Sequence, residues 1–176
     1  MKQASNINQQ TMTWKTSIGF VVLASLVIIV TGYLTSVDLL PIRETIQFKD
    51  GGVQFISLWM NLAITLGIIM PAIAFAVGFK RFKLRRIFGF YFLLLGIQIV
   101  TEQILSKGWM PSLVVPTGTL YTAFRVWQLW QGLQITQSTR KQPLRYKLLR
   151  GALGILFCFW LSNLIMLLTL VWPTLL

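Results

Sequence analysis

The chain has 176 residues, of which 55% are apolar and only 11% are charged. A water-soluble domain of this size is normally about one quarter charged, so the composition excludes an ordinary soluble domain. The chain has 16 lysines and arginines against 4 acidic residues, but this excess by itself does not indicate nucleic-acid binding. The chain has no histidine and a single cysteine, Cys158, which excludes an internal disulfide, a CxxC motif, a thiolate zinc site and the usual axial ligand of haem.

Four long apolar runs follow one another along the chain, at about residues 17–36, 53–79, 87–106 and 151–172. Each is long enough to cross about 30 Å of hydrocarbon as a helix. The first run is too long for the apolar part of a cleaved signal peptide and no A-x-A site follows it, so we expect it to be a retained span. Residues 1–16 precede this run, and we expect them to form a polar N-terminal tail.

A fifth segment, at about 114–135, is more polar, because its part TAFRVWQLWQGLQ carries Arg125 and three glutamines. If only the four apolar runs cross and the N-terminus is cytoplasmic, seven lysines and arginines lie inside and nine outside, which contradicts the positive-inside rule. If 114–135 crosses as well, twelve lie inside and three outside. The sequence therefore predicts an all-α integral membrane protein, a single five-helix transmembrane domain with its N-terminus in the cytoplasm and its C-terminus outside.

The polar groups of the fifth segment share one side of a helix. At about 100° per residue, that side holds Gly118, Tyr121, Thr122, Arg125, Gln128 and Gly132. An arginine near mid-membrane costs about 2.5–3.5 kcal/mol on insertion scales, so we expect it to face protein or a wet cavity. Glu102 is the only acid within a predicted span, and we expect a direct or water-bridged pair between it and Arg125.

Several polar residues of other spans reach similar depths, which predicts an intramembrane cluster of Asn61, Gln98, Glu102, Arg125, Gln128 and Asn163. One interpretation is structural, since interhelical hydrogen bonds and one ion pair fix the register of helices. A second is a small wet cavity that binds an anion, a polar headgroup or a cofactor, with Arg125 as the anchor. A third is a pathway for protons or substrate through Glu102.

Two basic segments and two rows of small residues complete the pattern. The basic residues either set the orientation or dock anionic lipid or an acidic partner; they are Lys80, Arg81, Lys83, Arg85, Arg86, Arg140, Lys141, Arg145, Lys147 and Arg150. The small residues indicate either close packing of helices within the chain, with Cys158 as a core residue, or a docking face for another membrane protein. They are Ala63, Gly67, Pro71, Ala74 and Gly78 on the second span and Gly154, Cys158 and Ser162 on the last. Pro71 predicts a kink, tolerated where a neighbour satisfies the freed carbonyl.

Catalytic motifs are missing from this sequence. It has neither HExxH nor GxSxG, and one carboxylate among amides is a poor site for iron, copper or zinc. We expect a protein that is not an enzyme, holds no metal and acts by association, as an accessory subunit, an assembly factor or the binder of a small polar or lipid ligand near Arg125. The alternative is a small oligomeric transporter or channel that uses Glu102 and Arg125.

The expected partners are membrane lipids and other membrane-protein subunits or further copies of the chain, without nucleic acid. The charge distribution is typical of a bacterial-type inner membrane or an equivalent energy-transducing membrane. The sequence identifies no cofactor.

Overall fold

The computed structural model of the chain describes residues 14–42, 50–136 and 143–175. Within these ranges the regular secondary structure is helical throughout, which confirms the all-α prediction. The α-helices are α1 (Trp14–Ser36), α2 (Asp50–Ile64), α3 (Met70–Gly78), α4 (Phe82–Gly108), α5 (Val114–Ile135) and α6 (Leu144–Met166). A π-helical turn, Thr65–Ile69, joins α2 to α3, so that these two helices form one continuous rod.

Short helical turns extend two of the other helices. A 3-10 turn, Pro111–Leu113, leads into α5, and a π turn, Leu167–Val171, followed by a 3-10 turn, Trp172–Thr174, prolongs α6. Each of the five ranges predicted from the sequence is therefore covered by one helical rod.

Four helical segments within the described ranges are long and apolar enough to cross a membrane: Trp14–Ser36, Ser57–Gly78, Phe82–Gly108 and Tyr146–Thr174. Helix α5 is not one of them, because Arg125 and the glutamines lower its hydropathy. It nevertheless begins and ends where the fifth segment was predicted to begin and end, at Val114 and Ile135.

Helix α5 lies at the centre of the bundle, where it packs against α1, α4 and α6. All six residues that the sequence placed on its polar side are buried, so this prediction is confirmed. A hydrophobic layer joins α4, α5 and α6 on the side of Arg125 that is nearer to the α3–α4 turn. It contains Phe88, Leu129, Leu153 and Leu156, each fully buried. Helix α5 is thus held from several sides, although it is not one of the four apolar segments.

The second predicted span packs through its small residues, as expected. Gly67, Pro71, Ala74 and Gly78 are buried. At Gly67 the approach is closest, because a Cβ atom there would lie 2.9 Å from the ring of Trp160. Glycine at this position lets the tryptophan of α6 lie directly against the rod formed by α2 and α3.

The corresponding prediction for α6 is wrong. Cys158 and Ser162 are exposed, and a Cβ atom on Gly154 would meet nothing within 4 Å. The side of α6 that faces the bundle carries large residues, such as Leu156 and Trp160. Cys158 lies two residues before Trp160, which is about 200° around a helix, and so faces outwards.

The backbone carbonyl that Pro71 leaves without a donor is satisfied from outside its own helix. Proline has no N–H, so the carbonyl of Gly67, four residues earlier, lacks its usual helical donor. The hydroxyl of Tyr91 on α4 donates a hydrogen bond to this carbonyl at 2.6 Å. The indole N–H of Trp160 in turn donates to the Tyr91 hydroxyl at 2.9 Å. The prediction that a neighbour satisfies the freed carbonyl is confirmed.

Candidate functional site

The side chains of Glu102, Gln98 and Arg125 form a continuous hydrogen-bonded chain, called here the polar cluster. The Nη2 atom of Arg125 donates to Gln98 Oε1 at 2.6 Å, and Gln98 Nε2 donates to Glu102 Oε1 at 2.7 Å. The expected partnership of Arg125 and Glu102 is thus present in a different form from the direct or water-bridged pair predicted. The Gln98 amide joins the two charged groups by offering its oxygen to one and its nitrogen to the other.

The helices bring these three residues together by running antiparallel. Gln98 and Glu102 lie one turn apart on α4. From α5, Arg125 donates a hydrogen bond to Gln98, and Gly118 lies close to Glu102. A Cβ atom on Gly118 would lie 3.4 Å from Glu102 Oε1. The lack of a side chain at residue 118 therefore leaves room for the carboxylate between the two helices.

Arg125 is enclosed by aromatic rings. Its Cζ atom lies 4.1 Å from the centroid of the Trp160 ring and 5.4 Å from that of Tyr91, and the residue is only 1% exposed. Ring faces attract a guanidinium by about 2 kcal/mol or more when the contact is desolvated. The Nε and Nη1 atoms of Arg125 have no hydrogen-bond acceptor among the described residues, so these rings and Gln98 are what stabilise the charge.

A second group of polar side chains lies beside the polar cluster. The indole N–H of Trp59 donates to Asn163 Oδ1 at 2.6 Å. Asn163 Nδ2 donates to Thr122 Oγ1 at 3.4 Å, and Thr122 is one turn from Arg125 on α5. Asn163 therefore belongs to the predicted site, through a partner on α2 and another on α5.

The two remaining residues of the predicted cluster have different positions. Gln128 is buried on the same side of α5 as Arg125. Asn61 is exposed on α2, so its inclusion in the site was wrong. It lies two residues before Ala63, which is about 200° around the helix from the row of small residues that packs against the bundle.

A cavity of about 350 Å³ lies between α2, α4, α5 and the end of α6. Most of its lining is apolar, and its polar groups are those of Gln98, Glu102, Thr122 and Asn163, together with the edges of two tryptophans, Trp59 and Trp160. Ligand pockets in proteins commonly have volumes of about 300–1,000 Å³ and combine apolar walls with a few polar groups. The cavity has the composition of such a pocket.

The cavity opens at the side of the bundle. Three of its lining residues, Ile64, Ile68 and Ile99, are between 37% and 47% exposed. Arg125 is not part of the lining, because Gln98 and Trp160 stand between its guanidinium and the cavity. The charged side chain that reaches the cavity is that of Glu102. Arg125, which one of the three interpretations makes the anchor of a ligand, does not line this cavity.

Sequence reasoning missed Tyr91, Trp160, Trp59 and the part played by Thr122. Tyr91 lies seven residues before Gln98, and Trp160 lies three before Asn163, so that helical spacing placed both on the faces of the predicted cluster. Their rings resembled ordinary core residues in the sequence. What distinguishes them is the guanidinium between them, which only the packing of α4, α5 and α6 reveals.

The two basic segments meet at the end of the bundle opposite to this cavity. The guanidinium of Arg81 lies 5.5 Å from the centroid of the Tyr146 ring, which joins the α3–α4 turn to the first turn of α6. Arg85 and Arg86 lie over rings of their own segment, Arg85 over Phe79 and Phe82 and Arg86 over Phe90. Of the remaining basic residues, Lys80, Lys83 and Lys147 are exposed and Arg150 is half-buried, while Arg140, Lys141 and the side chain of Arg145 lie outside the described part of the chain.

Comparison of the chain with protein-family models, with curated proteins and with solved structures finds no match. The polar cluster and the cavity beside it are therefore the features from which a function can be derived.

Proposed function

We propose that this chain is a non-catalytic integral membrane protein that binds a membrane amphiphile in the cavity beside the polar cluster. The observation that carries the proposal is the cavity of about 350 Å³ itself, which is mostly apolar and has a few polar groups in its lining, Glu102 among them. An open side lined by isoleucines suits a ligand that arrives from hydrocarbon rather than from water. In this proposal the protein acts by association and carries out no reaction.

The membrane arrangement is part of the proposal. Four helices have the length and hydropathy of spans, and the central packing of α5 between them supports a fifth. With α5 as a span, the positive-inside rule favours a cytoplasmic N-terminus and an external C-terminus. Glu102 then lies six residues from the outer end of α4 at Gly108, a depth of about 9 Å at 1.5 Å per residue.

Single cysteines test this arrangement in a Cys158→Ser background, which is needed because Cys158 is exposed. Phe82, Lys107 and Lys147 are exposed positions near helix ends. A membrane-impermeant maleimide should label cysteine at 82 and at 147 only after the cytoplasmic side is opened, and should label cysteine at 107 in intact cells. Labelling at both 107 and 147, but not at 82, in intact cells would mean that α5 does not cross.

The alternative function, a transporter or channel that uses Glu102 and Arg125, receives less support. Arg125 is enclosed by two rings and by Gln98 rather than lining a pathway. Beneath it the bundle is filled by Phe88 and Leu129, which are fully buried. A Cβ atom on Gly132 would lie 3.2 Å from Ile87, so that α4 and α5 are in close contact there. A packed layer of this kind suits a binding site with one opening.

Filling the cavity tests the binding function. Ile99 and Val100 are adjacent exposed residues of α4, but only Ile99 lines the cavity. We expect Ile99→Trp to occupy part of the cavity and to reduce the lipid that stays bound to the purified protein in mild detergent, measured by native mass spectrometry. Val100→Trp adds the same side chain on the outside and should retain the lipid of the wild type. Equal lipid retention in the two variants would contradict the proposed function.

A further inference from the structure

We infer that the ligand of this cavity is a neutral amphiphile whose head group donates a hydrogen bond to the carboxylate of Glu102, as a lipid hydroxyl does. This inference rests on the proposed function and adds to it the chemistry of the ligand. It departs from the expectation of an anion held by Arg125.

Glu102 is the polar group of the cavity with hydrogen-bonding capacity to spare. Among the described residues, its carboxylate accepts a hydrogen bond from Gln98, at Oε1. An ionised carboxylate has about four lone-pair sites, so one bond leaves most of its capacity unused. The amide of Asn163 is already engaged on both of its atoms, with Trp59 on the oxygen and Thr122 on the nitrogen. A ligand that offers a donor therefore finds its acceptor at Glu102.

An anionic head group fits this cavity poorly. The cation that would attract it, Arg125, does not line the cavity and is 1% exposed. One of its nitrogens is bonded to Gln98, and its flat face lies under the Trp160 ring. The charged group that an anion would meet is the Glu102 carboxylate, which repels it.

A cationic head group is disfavoured for a different reason. With Glu102 ionised, its charge is already compensated by that of Arg125, to which Gln98 links it. An added ammonium group would leave a net positive charge beside apolar walls, and such a charge is costly away from water. A hydroxyl group satisfies Glu102 without adding a charge. Its hydrogen bond to an ionised acceptor is also stronger than one between neutral groups.

Four probes that share one hydrocarbon chain test the inference: oleyl alcohol, methyl oleyl ether, oleyl sulfate and oleylamine. Their dissociation constants for the full chain in mild detergent can be followed by tryptophan fluorescence, since Trp59 and Trp160 line the cavity. We expect oleyl alcohol to bind about tenfold more tightly than the ether, because a hydrogen bond to a charged group is worth at least that factor. The sulfate and the amine should both bind more weakly than the alcohol.

Two variants connect the preference to one residue. Glu102→Met keeps the length of the side chain and removes the acceptor, so the ratio between alcohol and ether should fall to about one. Gln103→Met changes the exposed neighbour on the same helix and should leave the ratio unchanged. The series of probes on the wild-type chain stands by itself if Glu102→Met does not fold.

The results distinguish a failure of this inference from a failure of the proposed function. Equal binding of alcohol and ether by the wild type, or tighter binding of the sulfate or the amine than of the alcohol, would overturn the inference while leaving a lipid-binding cavity in place. If Ile99→Trp weakened the binding of none of the four probes, the proposed function itself would fail.

Discussion

Replacing Gln98 with leucine should destabilise the bundle more than the small change in side-chain volume suggests, because the Gln98 amide is hydrogen-bonded to both charged groups of the polar cluster. The change removes the acceptor of Arg125 Nη2 and the donor to Glu102 Oε1 in a single step. Arg125 already has two nitrogens without an acceptor among the described residues, so it would keep only the rings of Tyr91 and Trp160. The bond to Arg125 joins α4 to α5, and such contacts between membrane helices are worth about 0.6–2 kcal/mol. The bond to Glu102 lies within α4, and a hydrogen bond to a charged group contributes about 1.5–3 kcal/mol. We therefore expect a loss of about 2–3 kcal/mol.

The loss can be measured as a decrease in the free energy of unfolding when sodium dodecyl sulfate is titrated into protein held in a mild detergent, with circular dichroism as the readout. Gln103→Leu is the matched control, since it makes the same change at an exposed position of α4. Its effect should stay within about 0.5 kcal/mol, as for most surface substitutions. If Gln98→Leu were as stable as Gln103→Leu, the bridge through Gln98 would contribute nothing and the description of the polar cluster would be refuted.

Three further predictions use the same unfolding assay. Tyr91→Phe should cost about 1–3 kcal/mol, because it leaves the carbonyl of Gly67 and an indole N–H without their partner; an unchanged stability would mean that water replaces the hydroxyl. Gly67→Leu should cost about 1–3 kcal/mol by overpacking against the neighbouring indole ring, whereas Gly96→Leu, where a Cβ atom meets nothing within 4 Å, should be tolerated. Arg125→Ala and Glu102→Ala should each destabilise the protein, and the double variant should lose less than the sum of the two; additive losses would show that Gln98 does not couple the two charges.

Much of the fold follows from hydropathy and helical periodicity. The limits of α5 and its buried side were both predictable, because polar residues and glycines recur there with the spacing of a helix. The partnership of Arg125 with Glu102 was predictable as well, since the sequence offers no other acid within a span. These features depend on the rotation and depth of α5, which its own polar residues and glycines indicate.

What the sequence could not provide was the position of individual side chains around the two charges. A glutamine one turn from Glu102 has the reach to bond either charge, and only the packing of α4 against α5 shows that Gln98 bonds both. The enclosure of Arg125 by two rings depends on α6 as well, from which Trp160 approaches past Gly67. The sequence therefore indicated the arginine as the anchor of a bound ligand in one interpretation, whereas in the structure the carboxylate of Glu102 lines the cavity.

The two wrong placements of side chains share one physical cause, which is the rotation of a helix about its own axis. Asn61 and Cys158 were assigned inward positions from their depth and their size, and both are exposed. Each lies two residues from a residue that packs against the bundle. In an apolar helix that is hydrophobic all round, the hydropathy pattern does not indicate which side faces the bundle. In α2 and α3 that side is the one with the small residues, and in α6 it is the one with the large residues.

Photolabelling tests most directly whether a neutral amphiphile occupies the cavity beside Glu102. A long-chain alcohol with a diazirine in its chain can be irradiated with the wild-type protein in lipid nanodiscs and the labelled residues identified by peptide mass spectrometry. We predict that labelling concentrates on cavity residues such as Ile64, Ile68 and Ile99, and that excess oleyl alcohol suppresses it. Labelling spread evenly over other exposed residues, such as Leu23 and Val27 of α1, and unaffected by oleyl alcohol would contradict the claim.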